Sequence, residues 1–225
     1  MKKFALAAVA LAAIANAQAS TVTFTDAFGL ATTNWTRLIG ASQFNLGGTL
    51  NSATFTINGD IVQRLKAENT GAAPDTLTPI AGANFFFRKS AVTLQTLALS
   101  NTGASFSSTA YDGVTDFAGT SGIDFGNIAA NGTLTFTVTG ANLANYIGSG
   151  TLGSAGFDVR AVGNGSIGST NGNLDSSIST QARYGLSVTY DYTAAVTQVP
   201  EPASLALVGL ALAGVGLARR QAKTA

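Results

Sequence analysis

"SATFTINGDIVQRLKAEN", Ser52–Asn69, is the stretch on which the fold turns. Apolar side chains recur at alternate positions, Ala53, Phe55, Ile57, then Ile61 and Leu65, with polar residues between them. Period-two alternation of β-branched and aromatic residues is the pattern of a strand with one buried face. In its middle stands Asn58-Gly59, the dipeptide preferred where two residues of a tight turn need positive φ. The pattern therefore predicts a hairpin with arms Ala53–Ile57 and Ile61–Lys66 around "NGD".

The same grammar extends in both directions. "TVTFTDAF" (Thr21–Phe28), "GTLTFTVTG" (Gly132–Gly140) and "GLSVTYDYTAAV" (Gly185–Val196) alternate in the same way. Ala91–Leu99 and Gly156–Val162 are further strand candidates. "GNGSIGSTNGNLDSS" (Gly163–Ser177) reads as a mobile loop, being almost wholly turn-forming residues. No long amphipathic helix pattern occurs between Ser20 and Val199. Many short strands with frequent turns predict an all-β domain, an antiparallel sandwich or jelly-roll, over residues 20–196.

The two ends read differently. Met1-Lys2-Lys3, an apolar run from Phe4 to Ile14 and the small-residue "ANAQAS" have the order of a cleaved secretory signal peptide spanning 1–19. Cleavage is expected after Ala17 or Ala19, by signal peptidase. At the other end, Pro200-Glu201-Pro202 precedes Ala203–Ala218, sixteen residues without charge, and then Arg219, Arg220 and Lys223. As a helix the sixteen reach about 24 Å, short of the roughly 30 Å of a bilayer core. The basic cluster places the last residues on the cytoplasmic side and the β domain outside. The two prolines cannot donate hydrogen bonds and hold Glu201 extended before the helix.

Composition narrows the function classes. With no Cys and no His, the chain cannot build a Ser-His-Asp triad, a Cys nucleophile or an imidazole metal site. Setting aside residues 1–19 and 199–225 leaves seven basic against ten acidic residues, so nucleic acid is not an expected partner. Asp112, Asp116 and Asp124, in "YDGVTDFAGTSGIDFG", are oxygen donors of the type Ca²⁺ takes, but Asp beside Gly is also ordinary turn chemistry. Glu68 is the one glutamate of the central domain, and no carboxylate pair of a glycosidase is marked. No catalytic residue and no cofactor are expected. Trp35, Tyr111, Tyr146 and Phe85-Phe86-Phe87 are candidates for sugar stacking, with Trp35 and Tyr146 foremost, against the alternative of core packing. If the Phe triplet is extended, one ring must point away from the other two.

Two resemblances attach to these motifs. Phe44, Leu46-Gly47, Thr49-Leu50, the strand that follows them, "YIGSG" (Tyr146–Gly150) and "VTYDYT" (Val188–Thr193) make residues 38–70 and the domain's end resemble the choice-of-anchor E domain of exported bacterial proteins. That implies a β-rich surface module and no reaction. The tail over 197–225, with "PEP" at Pro200-Glu201-Pro202, helix 203–218 and basic residues 219–225, resembles the PEP-CTERM sorting signal. That implies recognition by an exosortase, transient inner-membrane insertion with the domain in the periplasm, cleavage near the motif, and transfer to the cell surface or beyond. It also implies an association with exopolysaccharide and biofilm. A structural or adhesive surface protein is the expectation, with a carbohydrate-binding module as the alternative and a secreted hydrolase behind both.

Overall fold

The computed structural model describes residues 19–195, together with Gly209 and Leu212. Among the described residues there are ten strands: β1 (Ala19–Thr32), β2 (Trp35–Leu38), β3 (Thr49–Asn69), β4 (Asp75–Lys89), β5 (Val92–Thr102), β6 (Phe106–Ser108), β7 (Gly122–Val138), β8 (Phe157–Gly163), β9 (Ser166–Gly168) and β10 (Leu174–Thr193). Two 3-10 segments, Gly140–Tyr146 and Gly153–Ala155, link β7 to β8. One sheet runs β1-β10-β3-β7 and the other β2-β8-β4-β5, with β6 and β9 as short additions to β4. All named pairings are antiparallel. Without the two short additions, the chain crosses between sheets at every connection except β4–β5, which is the jelly-roll order.

β3 is one uninterrupted strand of 21 residues, not a hairpin. Its inward face runs through Ala53, Phe55, Ile57, Gly59, Ile61, Gln63, Leu65 and Ala67, all buried. Asn58 and Gly59 lie mid-ladder: Gly59 pairs with Tyr184 of β10 on one side and Gly132 of β7 on the other. Two long partner strands satisfy its backbone on both sides, so folding back would forfeit one ladder. A three-residue "NGD" loop would have kept the same residues on one face, which is why alternation could not separate the two readings.

The hairpin lies between β4 and β5, where Lys89 pairs with Val92. Its two loop residues, Ser90 (φ 47) and Ala91 (φ 67), both have positive φ, the condition of a type I′ turn. Neither residue type advertises that conformation. The expected loop 163–177 is shorter than its composition suggested, for β9 occupies Ser166–Gly168 and β10 begins at Leu174.

Between the sheets lies a core rich in rings. Phe55 of β3 packs against Phe87 of β4 (5.1 Å between ring centroids), Phe136 of β7 (5.1 Å) and Tyr146 (5.3 Å). Trp35 bridges the layers at another point, 6.2 Å from Phe85 and 5.8 Å from Tyr184. The triplet Phe85-Phe86-Phe87 behaves as an extended strand requires: Phe85 and Phe87 are each 1% exposed, while Phe86 faces the other way and is half-buried. Burying each such ring contributes about 1.5–3 kcal/mol.

Candidate functional site

Ala19 pairs with Thr193 across β1 and β10, so the chain enters and leaves the described domain at one end of the same ladder. Gly48, at φ 86, lets the β2–β3 loop pass directly against Thr193–Ala195; a Cβ there would lie 2.2 Å from the Thr193 carbonyl oxygen. Of the expected signal peptide 1–19, residues 1–18, Ala17 among them, lie outside the described residues, whereas Ala19 already opens β1. Pro200, Glu201 and Pro202, the expected helix 203–218 apart from Gly209 and Leu212, and Arg219, Arg220 and Lys223 also lie outside them. No helix among the described residues is long and apolar enough to cross a membrane.

Of the three aspartates considered as calcium ligands, Asp112 and Asp116 lie in turns and Asp124 at an irregularity of strand β7. Asp112 Oδ1 accepts from the Val114 amide (3.0 Å), Asp116 Oδ1 from Ala118 (2.9 Å) and Asp124 Oδ1 from Gly126 (2.9 Å). Each bonds the backbone two residues on, the Asx-turn arrangement. Asp124 also takes the Arg64 guanidinium at 2.5 Å and Lys66 Nζ at 3.7 Å. The Arg64 hydrogen bond, helped by the Gly126 amide, lowers the Asp124 carboxyl to about 2. Among the described residues no three His, Cys, Asp or Glu side chains gather as a metal group. Of the two readings the sequence left open, calcium ligation and turn chemistry, Asp112 and Asp116 carry out the turn chemistry.

The ring candidates are likewise placed by packing. Tyr146 is 3% exposed and stacks on Phe157 at 4.8 Å, and burial pushes its hydroxyl up to about 12. Trp35 is half-buried among Phe28, Phe85 and Tyr184, with its indole Nε1 enclosed and without a hydrogen-bond partner. Both rings take part in core packing, the alternative the sequence held beside sugar stacking. Tyr111 is at the surface, its hydroxyl 2.9 Å from Thr115 Oγ1. A cavity of about 360 Å³ opens beside Tyr146, rimmed by Lys89, Gln95, Asn142 and Asn145. Lys89 Nζ donates to Asn145 Oδ1 across that rim.

Glu68 ends up near the end of β3, as a strand-end position requires, and is fully buried. Its Oε2 accepts from the Phe117 amide at 2.8 Å, and its Oε1 has no hydrogen-bond partner among the described residues. Asp75 is the other well-held carboxylate. Burial opposes its ionised form, but donors from Ser169, Thr170 and Thr76 outweigh that and lower it to about 2. The bonds from Ser169 and Thr170 tie the start of β4 to the β9–β10 loop. Residues passed over in the sequence, Thr33, Gln63, Gly163, Gly165 and Thr180, meet in a second cleft, between the β1–β2 turn and the β8–β9 loop. The signal for them was the paired glycine of "GNG" at 163–165.

Against known proteins, residues 198–220 match the PEP-CTERM protein-sorting motif. The chain thus carries the tail of an exported protein sorted by exosortase, a membrane enzyme. No curated protein matches the chain. Among solved structures it is similar to a chain of the T=1 particles derived from infectious bursal virus. That alignment has 10% identity, covers 95% of this chain and 51% of that one, and has a TM-score of 0.14. Chains from the Gt and Gx strains of infectious bursal disease virus are 12% and 15% identical, with 95% of this chain and 52% of theirs covered. Their TM-scores are 0.11 and 0.10. The chain spans about half the length of these viral chains, and at such scores the likeness carries no argument about fold or function.

Proposed function

We propose that this is an exported bacterial surface or extracellular-matrix protein, a structural or adhesive component that meets exopolysaccharide and catalyses no reaction. The observation that carries the reading is the sorting motif at 198–220, placed directly after a β domain whose last strand ends at Thr193. Export by a signal peptide at 1–19, transient insertion of 203–218 in the inner membrane and transfer outward complete the route. Arg219, Arg220 and Lys223 act as the cytoplasmic stop, and exosortase reads Pro200-Glu201-Pro202. A choice-of-anchor E type of domain suits this route, since such a module is delivered rather than catalytic. Biofilm matrix is the setting in which that delivery makes sense.

Mass spectrometry of surface-extracted protein tests it. The expected C-terminus falls within Thr197–Pro202, and replacing Pro200, Glu201 and Pro202 by alanine abolishes that end. Intact Ala225 on mature surface protein would overturn the cleavage.

A further inference from the structure

The cleft between the β1–β2 turn and the β8–β9 loop, about 280 Å³, is walled by neutral polar groups. Its polar lining residues are Thr32, Thr33, Asn34, Gln63, Ser179 and Thr180. Elsewhere on this protein such hydroxyls pair with one another across strands, as in Thr23–Thr189 (2.8 Å), Thr54–Thr137 (3.0 Å) and Thr56–Thr135 (3.2 Å). In the cleft they do not: among the described residues, these six side chains make only one hydrogen bond within the protein.

That one bond fixes the chemistry of the deepest group. The Gly82 amide donates to Gln63 Oε1 at 2.7 Å, so the carbonyl end of the Gln63 amide is settled and its Nε2 is the free end. Gln63 is fully buried, and among the described residues Nε2 has no acceptor. A buried donor left unpaired costs about 1–3 kcal/mol, and structures retain such groups where something else completes them.

The backbone around it is shaped for a close approach. A Cβ at Gly163 would come within 2.9 Å of both Thr33 Oγ1 and Thr180 Oγ1, so the two hydroxyls converge above that glycine. A Cβ at Gly165 would strike the Gln63 amide at 2.1 Å. Asn34, at φ 70, holds the rim in the left-handed region that Asn tolerates. Among the described residues, Ile178 supplies the one apolar side chain of the lining, and no charged residue lines the cleft.

We propose that this cleft binds a neutral saccharide, one or two rings of a glycan, through the unpaired Thr33 and Thr180 hydroxyls, Asn34 and the Gln63 amide. A wall of hydroxyls and amides offers both donors and acceptors, as a polyol requires. The absence of charge in the lining gives an anionic ligand nothing to pair with. The volume lies at the lower edge of the about 300–1,000 Å³ of small-molecule sites, which suits one or two rings. The assignment rests on the reading of the domain as a surface protein that meets polysaccharide, and names the place and ligand class of that contact.

The test uses the full chain in a zwitterionic detergent without a sugar headgroup. The probes are neutral hexasaccharides of glucose, mannose, galactose and N-acetylglucosamine, with alginate as the acidic comparison. Calorimetric titration is expected to show binding of at least one neutral hexasaccharide and none of alginate. Thr33→Val and Thr180→Val should each weaken it about three- to tenfold, the worth of one hydrogen bond. Should either variant fold poorly, the Gln63 side-chain amide resonances of the unaltered protein give the same answer by shifting with the sugar. No binding up to about 10 mM, where affinity is negligible, would overturn the proposal. So would binding of alginate alone, or binding that leaves the Gln63 amide unmoved. Tail processing does not involve the cleft, so a correctly cut C-terminus with no sugar response would sink this site and leave the sorting route standing.

Discussion

Gly59 and Gly132 stand directly opposite each other on β3 and β7, and leucines of the facing sheet fill the hollow they leave. A Cβ on Gly59 would meet Phe85 Cε2 at 2.9 Å and Leu97 Cδ2 at 3.0 Å, and one on Gly132 would meet Leu99 Cδ2 at 2.7 Å. These glycines serve close packing of one sheet on the other, the second meaning of glycine inside a strand. Gly59→Val and Gly132→Val are each expected to destabilise by about 1–3 kcal/mol through overpacking. Asn58→Thr should be mild, since Asn58 is exposed and accepts one hydrogen bond, from Thr133 Oγ1 at 2.7 Å. Urea unfolding of the three variants checks both statements. A severe loss in Asn58→Thr with a neutral Gly132→Val would restore the hairpin reading.

The true β4–β5 turn should be improvable. Ser90 and Ala91 both occupy the left-handed region, which costs a non-glycine residue about 1–2 kcal/mol. Ala91→Gly and Ser90→Asn supply the residues that type I′ turns favour. The double variant is expected to gain about 0.5–1 kcal/mol of stability, read as a higher thermal midpoint. A lower midpoint would contradict the assigned turn geometry.

Arg88 Nε donates to Asp158 Oδ1 at 2.6 Å, with both side chains largely shielded from water at 13% and 10% exposure. Breaking such a pair strands a charge. Arg88→Met alone should therefore cost about 3 kcal/mol or more, whereas Arg88→Met with Asp158→Leu should recover most of it. A double-mutant cycle in denaturant measures the difference. The exposed Arg183–Asp60 pair, at 3.2 Å and 59% and 40% exposure, is expected to show under about 1 kcal/mol in the same assay.

How much of this was legible in the sequence differs by feature, for physical reasons. The all-β class and the outward turn of Phe86 follow from alternation alone, because side-chain period is a local property. The Asx turns at Asp112 and Asp116 were visible as one of two readings for the same cause. The Asn58-Gly59 error arose because turn propensity is local while strand pairing is not. Only the presence of β10 and β7 on either side decides that β3 runs straight through. The turn at Ser90-Ala91 was invisible because tertiary pairing, not residue preference, imposes its φ values. The cleft needed Gln63 and Thr180 to be known as register partners across β3 and β10, a relation no spacing in the chain reveals.

Tyr146 separates packing from ligand contact. Its ring lies between Phe55 and Phe157, so Tyr146→Ala is expected to cost about 3–5 kcal/mol by leaving a cavity. Tyr146→Phe should keep most of that stability and leave the sugar titration unchanged. Loss of binding in a stable Tyr146→Phe protein would move the contact to the 360 Å³ cavity beside it.

Acid should loosen the domain at Asp75. Its carboxyl lies at about 2 in the fold against an ordinary 3.8, so the unfolded chain takes up the proton at higher pH. The stabilisation is therefore complete above the ordinary value and is lost as pH falls from about 4 towards 2. What is lost is the bond from Thr76 N (2.6 Å) and the set from Ser169 Oγ (2.5 Å), Thr170 N (2.7 Å) and Thr170 Oγ1 (2.5 Å), which fastens the start of β4 to the β9–β10 loop. Asp75→Asn keeps the shape but accepts fewer bonds, and is expected to lower stability at pH 7 by about 1–3 kcal/mol. It should also flatten the fall in stability between pH 4 and pH 2 relative to the unaltered chain. Urea midpoints at intervals across that range make the comparison, and an unchanged slope in Asp75→Asn would assign the acid sensitivity to another carboxylate, with Asp124 the next to examine because it too is lowered to about 2.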